Sequence, residues 1–261
     1  MEEFYKTIQG RRIDAFTAAA LGDLESLQEI VSPRNVNMKN VDGWTMLMYA
    51  CYYDRLEVVK FLLKFGVDKA LTCGKGRTPL MIAATSGNVD IMPLVLQKEI
   101  LEFKEDRGMT ALCLSIDHGH LSGAEILLSN GANPDVMSKN GTPLMTTAER
   151  GHYSGAKILL QYKANPLISN IEGKNAADIA NEKGHRDLYK LIISHVKRGK
   201  SDVHYILTDL GLEEYLDLFK EKNITYQQLL DMTEEDMKSI GINKFGPRRK
   251  LSIFINQIKK K

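Results

Sequence analysis

The chain has 261 residues, of which 43% are hydrophobic and 26% charged, with a formal net charge of +2. That balance suits a protein able to bury a core, and the length fits two domains better than one. A charge so near zero gives, on average, no reason to expect nucleic acid or an anionic membrane as partner. No run approaches the roughly 18 apolar residues that suggest a membrane span. The three cysteines, Cys51, Cys73 and Cys113, form no C-x-x-C pair and read as reduced thiols of a cytosolic or nuclear protein. The opening Met1–Lys6 lacks the order of a secretory signal, so a cytoplasmic location is expected and the Asn223-Ile224-Thr225 triplet is read as idle.

Residues 1–9 read as an N-terminal extension. From there to residue 198 the sequence is periodic. Gly43, Gly76, Gly108, Gly141 and Gly173 recur at separations of 33, 32, 33 and 32. Each sits in a turn, as in Asp42-Gly43 and Asn140-Gly141, where glycine supplies positive φ. A short helix follows each turn, for example Thr78-Pro79-Leu80-Met81-Ile82-Ala83. The threonine can cap it, and proline at the first position lacks only an N–H that would go unpaired anyway. A second glycine series (Gly22, Gly87, Gly119, Gly151, Gly184, with Asp54 substituting once) separates this helix from an apolar partner such as Leu56–Leu63.

These residues resemble the ankyrin repeat. Six units are expected over 10–198, the first starting without its hairpin near Phe16 and the last with a more polar first helix. Pro93 falls inside the expected second helix of the third unit, Val89–Leu96, and the Gly-Ala-Asn turn seen at Gly131–Asn133 is missing after it, which predicts a local irregularity. The resemblance implies that partners dock along the hairpin tips and the exposed side of the first helices. By register it places Trp44, Tyr52, Tyr53, Arg77, Met109, His118 and Arg150 on that face. Trp44 is the one tryptophan of the chain, and aromatics and arginine are common binding anchors.

A polar break at 199–202 reads as a short linker that restricts the orientation of what it joins without fixing it. After it, from 203 to 259, the pattern suggests five short helices. Leu207, Leu210, Leu212, Tyr215 and Phe219 recur at helical intervals, Thr233-Glu234-Glu235-Asp236 opens another helix, and Phe245–Leu251 starts the last. Leu210-Gly211-Leu212, Leu229-Leu230, Met232-Thr233, Ile240-Gly241-Ile242 and Gly246-Pro247-Arg248-Arg249-Lys250 resemble a SAM (sterile alpha motif) domain. The expected fold class is therefore all-α, a helix-turn-helix solenoid with hairpin loops followed by a five-helix bundle. As a whole the chain is similar to the ankyrin repeat and SAM domain-containing proteins, with a shorter linker than is usual among them.

Charge in the last domain is divided. From Asp202 to Asp236 there are ten acids and two bases, and from Met237 onward eight bases and no acids. The resemblance implies head-to-tail association between a basic surface (Lys244, Arg248, Arg249, Lys250) and an acidic one (Glu221, Asp231, Glu234, Glu235). Such a heterologous contact builds filaments unless it closes. Expected partners are proteins, including SAM-bearing ones of the Bicaudal-C type or further copies of the chain, in cytoplasmic assemblies such as the cilium. The competing reading is RNA binding by the basic start of the last helix, which needs only the basic surface and weakens steeply with salt. His118-Gly119-His120 looks like a metal pair, but His120, His152 and His185 all follow an inter-helix glycine and read as structural. Gly74-Lys75-Gly76 and Gly173-Lys174-Asn175 lack phosphate-loop spacing. No catalytic set converges, so no enzyme, cofactor or metal is expected.

Overall fold

The computed structural model describes residues 5–8, 11–199 and 203–259. The extension over 1–9 and the linker over 199–202 therefore lie largely outside the described residues. The chain divides into two compact units, Met1–Lys190 and Leu191–Lys261.

The first unit is a row of helix pairs: α1 (Ala15–Leu21) and α2 (Leu24–Ile30), α3 (Met46–Tyr52) and α4 (Leu56–Lys64), α5 (Pro79–Ser86) and α6 (Met92–Val95). They continue as α7 (Ala111–Asp117) and α8 (Leu121–Ser129), α9 (Pro143–Arg150) and α10 (Tyr153–Gln161), α11 (Ala176–Glu182) and α12 (Arg186–Gly199). The boundary between the two units falls within α12. The first helices of successive pairs pack on one another in order. Ahead of α1, where the sequence suggested no hairpin, β1 (Tyr5–Ile8) and β2 (Arg11–Asp14) pair antiparallel.

The starts of the first helices follow from their caps. Thr45, Thr78, Thr110 and Thr142 each accept the backbone N–H three residues on, from Met48, Met81, Cys113 and Met145. All four threonines are buried, so an unsatisfied helix end in the seam between repeats would be costly. Each first helix ends at a left-handed residue. Asp54 takes φ 57° where other units have glycine, consistent with its standing in for one.

Pro93 does not break a helix as its place in Val89–Leu96 suggested. Helix α6 begins only at Met92, so Pro93 occupies its first turn, where no backbone bond is lost. The irregularity takes another form, a four-residue helix followed by a 3-10 turn at Lys98–Ile100.

A single register position ties repeat to repeat. Arg55 Nε donates to Ala20 O at 2.8 Å, and Asn88 Nδ2 donates to Cys51 O at 2.6 Å. His120 Nε2 lies 3.0 Å from Thr85 O. The side chain at this position lies over the left-handed residue of the preceding repeat, so that a Cβ on Gly87 would come 2.6 Å from His120 Nδ1. Gly87→Ala is therefore expected to cost about 2–3 kcal/mol, combining left-handed strain with a displaced ring. Gly66 has φ 72° with nothing within 4 Å of a Cβ, so Gly66→Ala should cost only about 1–2 kcal/mol. Equal losses in urea unfolding would remove the packing role given to His120.

The second unit contains α13 (Val203–Asp209), a 3-10 turn (Glu213–Tyr215) leading into α14 (Leu216–Glu221), α15 (Tyr226–Asp231), α16 (Glu234–Ser239) and α17 (Phe245–Lys259). Its core is Ile206, Leu207, Leu212, Tyr215, Phe219, Leu229, Met237, Ile242, Leu251 and Ile255. Thr225 and Thr233 open α15 and α16 with capping boxes closed by Gln228 and Asp236. The hydrogen bonds from Thr233 hold the Asp236 carboxyl below the usual carboxylate range.

Candidate functional site

The hairpin loops, or fingers, form the exposed edge of the repeat row. Each is closed by its own backbone bond, such as Asn40 N to Trp44 O (2.9 Å), Cys73 N to Arg77 O and Glu105 N to Met109 O. Successive fingers are joined by backbone rungs: Gly74 N donates to Asp42 O at 3.1 Å, Asp106 N to Lys75 O at 3.3 Å, and Lys139 N to Arg107 O at 3.2 Å. This close approach uses glycine, since a Cβ on Gly43 would lie 2.9 Å from Gly74 N. The fifth finger is one residue tighter, closed from Ser138 N to Gly141 O.

An aromatic strip crosses the base of the second repeat's finger, the one closed between Asn40 and Trp44. Ring centroids lie 6.1 Å apart for Phe16–Tyr49, 5.2 Å for Trp44–Tyr49, 5.8 Å for Trp44–Tyr52 and 5.0 Å for Tyr52–Tyr53. At these separations the rings touch, in the tilted and edge-on arrangements that aromatic pairs favour. They therefore form a continuous ladder and leave no slot between neighbouring rings for a cation. Tyr52 and Tyr53 are 49% and 47% exposed, so the ladder offers apolar surface to a partner. Asn40 Nδ2 donates to the Tyr49 hydroxyl at 3.0 Å. Burial, with the charges of Asp42 and Asp14 beside it, pushes that phenol's pKa up. Together with Asp42, Lys75 and Arg77, Trp44 and the tyrosines line a cleft of about 800 Å³.

The structure thus brings Trp44, Tyr52, Tyr53 and Arg77 together and separates the other three predicted residues from them. Met109 has the finger register of Trp44 and Arg77 but is 1% exposed. Trp44 and Arg77 are half-buried at that position, whereas the shorter methionine stays inside the seam, so Met109 cannot meet a partner there. His118 is exposed, its Nδ1 is 2.9 Å from Leu114 O, and its ring stacks on His120. Arg150 is exposed but pairs with Asp117 at 2.6 Å, and one repeat further Lys183 pairs with Glu149 at 2.7 Å. These pairs neutralise the later part of the face.

Glu105 was not legible as part of the site. Buried in the fourth finger, it faces the Nε atoms of both Arg77 (3.7 Å) and Arg107 (3.4 Å), so one carboxylate serves two cations. The cysteines offer no chemistry: all three are buried, and burial pushes the Cys51 and Cys113 thiols up, away from the reactive thiolate. Among the described residues no group of His, Cys, Asp and Glu is arranged to hold a metal ion.

In the helical bundle the four acids Glu221, Asp231, Glu234 and Glu235 are exposed. The basic set is more divided than its sequence suggests. Arg248 is 7% exposed and points inward, its Nη1 donating to Ile242 O at 3.0 Å and also to Asn243 O. It closes the turn after α16 and does not belong to the surface. Lys244 pairs with Glu214 at 3.1 Å, which pushes its pKa up, and Lys250 donates to Leu210 O at 2.7 Å. Arg249 is exposed, and Phe245 beside Lys244 is 62% exposed, an apolar residue amid the bases.

A row of helix pairs with linked fingers, ending in a compact helical bundle, is the architecture of a protein-interaction module. Family models agree. Ankyrin repeats (3 copies) match residues 15–100 and 66–138, ankyrin repeats (many copies) match 127–180, and the SAM domain (sterile alpha motif) matches 196–259. The chain is an ankyrin-repeat protein that carries a SAM domain. It is 44% identical over 69 residues to human Ankyrin repeat domain-containing protein 40, covering 26% of this chain and 19% of that protein. It is 38% identical over 60 residues to human Protein bicaudal C homolog 1, covering 23% and 6%. It is also 32% identical over 124 residues to Probable E3 ubiquitin-protein ligase XBOS31 from Oryza sativa subsp. japonica, covering 46% and 28%. The chain thus spans under a third of each of these relatives. Among the described residues no helix is long and apolar enough to cross a membrane.

Proposed function

We propose that this chain is a cytoplasmic adaptor, in which the ankyrin repeats capture a protein through the Trp44–Tyr52–Tyr53–Arg77 patch and the SAM domain associates head to tail with other SAM domains. The observation that carries the second half is the segregation of exposed charge, with Glu221, Asp231, Glu234 and Glu235 on one stretch and Lys244, Arg249 and Lys250 on another. Phe245 gives the basic side an apolar contact, and the charges give orientation and fast encounter more than affinity. The relative named for bicaudal C favours SAM domains of that type as partners. Within the ankyrin repeat and SAM domain-containing proteins, Gly43-Trp44-Thr45, Leu47–Ala50 and Phe245-Gly246-Pro247 are most like member 3, whose resemblance also motivates a place in ciliary assemblies.

The RNA-binding alternative is less well supported. Of the four bases it would use, Arg248 is buried, and RNA binding gives no role to the exposed acids Glu221, Asp231, Glu234 and Glu235. Sedimentation of Arg249→Glu beside Glu235→Arg tests the adaptor reading. Each variant alone is expected to lose the concentration-dependent association of the wild type, and an equimolar mixture should regain a dimer, since one wild-type contact survives between them. A monomer throughout overturns head-to-tail association.

A further inference from the structure

The third and fourth fingers hold one acid between two arginines. The buried Glu105 carboxylate faces Arg77 Nε at 3.7 Å and Arg107 Nε at 3.4 Å, and it also accepts the Arg107 backbone N–H at 2.9 Å. One carboxylate thus answers two cations, and the pair of fingers keeps a positive charge in excess.

The hydrogen bonds show the same surplus. Each guanidinium carries five N–H donors, whereas a carboxylate has two oxygens. Arg77 Nε is buried and makes no hydrogen bond. Apart from Glu105, neither arginine side chain has an ion-pair partner among the described residues. With each Nε turned to the carboxylate, the Nη groups are the donors left over.

Backbone rungs bring Lys75 and Lys139 onto the neighbouring tips, and both are exposed without an ion pair among the described residues. Asp106 is the exposed acid of these tips, its Oδ1 3.3 Å from where a Cβ on Gly76 would stand. Four bases therefore face two acids, Glu105 and Asp106, on adjoining fingers.

We propose that Arg77 and Arg107 clamp a phosphate monoester, carried by a phosphorylated side chain of the protein that the aromatic ladder captures. The source of the phosphate rests on that capture reading. Arg77 belongs to both sites, since it lines the cleft with Trp44 and Tyr52 and also faces Glu105. A phosphate brings about two negative charges and three acceptor oxygens, which match the excess of two bases and two planar forks. A carboxylate brings one charge and two oxygens. Glu105 acts as a positioning residue that holds the two guanidinium planes.

Titration calorimetry of the full chain at constant ionic strength tests the clamp, with inorganic phosphate as the probe. Saturable binding is expected, and Arg107→Gln, which keeps a donor for Glu105, should weaken it at least about tenfold. Arg150→Ala, at an arginine already paired with Asp117, should leave it unchanged. N-acetyl-O-phosphoserine amide is expected to bind as tightly as inorganic phosphate, and acetate at least about tenfold more weakly. No saturable binding, equal losses in the two variants, acetate as tight as phosphate, or binding of the free ion alone would each overturn the proposal. Inorganic phosphate has no apolar part and Arg107 lies outside the aromatic patch. Failure of the clamp is thereby separated from failure of capture, which is read from Trp44 and Tyr52.

Discussion

Replacing Trp44 or Tyr52 with alanine is expected to weaken capture of a partner by the repeats by about 2 kcal/mol or more each, roughly thirtyfold. The two differ in what else they lose. Trp44 is half-buried and touches Tyr49 and Tyr52, so its removal also loosens the base of the finger. Tyr52 is 49% exposed, and its removal should leave the melting temperature nearly unchanged. Arg150→Ala is the control, because Arg150 is paired with Asp117 away from the aromatic ladder. Titration of a partner that co-purifies with the chain checks this. An affinity that follows Arg150 and ignores Tyr52 would move the site to the later repeats.

Arg248→Ala should destabilise the SAM domain by about 2–4 kcal/mol, whereas Arg249→Ala should stay within about 0.5 kcal/mol of wild type. Arg248 gives charge-assisted bonds to the carbonyls of Ile242 and Asn243, which would be left without this donor. Arg248→Lys should not fully restore the loss, because both bonds come from Nη1 and the lysine ammonium ends one atom nearer the backbone, short of the two carbonyls. Urea unfolding of the full chain, followed by circular dichroism, separates these cases. Equal stability of the Arg248→Ala and Arg249→Ala proteins would show that Arg248 is an ordinary surface base after all.

The contrast between neighbouring arginines shows where sequence reading stops. Arg248, Arg249 and Lys250 form one basic run, and the resemblance treats them as one surface. Helical geometry turns consecutive residues by about 100°, so at most part of such a run can face outward together. Which member turns in depends on where α17 packs against the turn after α16, a tertiary fact. Met109 is a similar case. Its register matches Trp44 and Arg77, but a position on the seam becomes surface only when its side chain is long enough to leave it.

The sequence by itself determined the two kinds of domain and the capped starts of the first helices. Those depend on local chemistry: threonine caps, proline in first turns, left-handed glycines and apolar spacing, all of which repeat in the text of the chain. It also located the aromatic patch, since Trp44, Tyr52 and Tyr53 are close in sequence as well as in space. Only the tertiary structure decided which fingers carry a backbone rung, that Glu105 serves two arginines, and that Arg248 turns inward. The rungs and the Arg77–Glu105 pair join residues about 30 positions apart across repeats, and no local pattern encodes the distance between them.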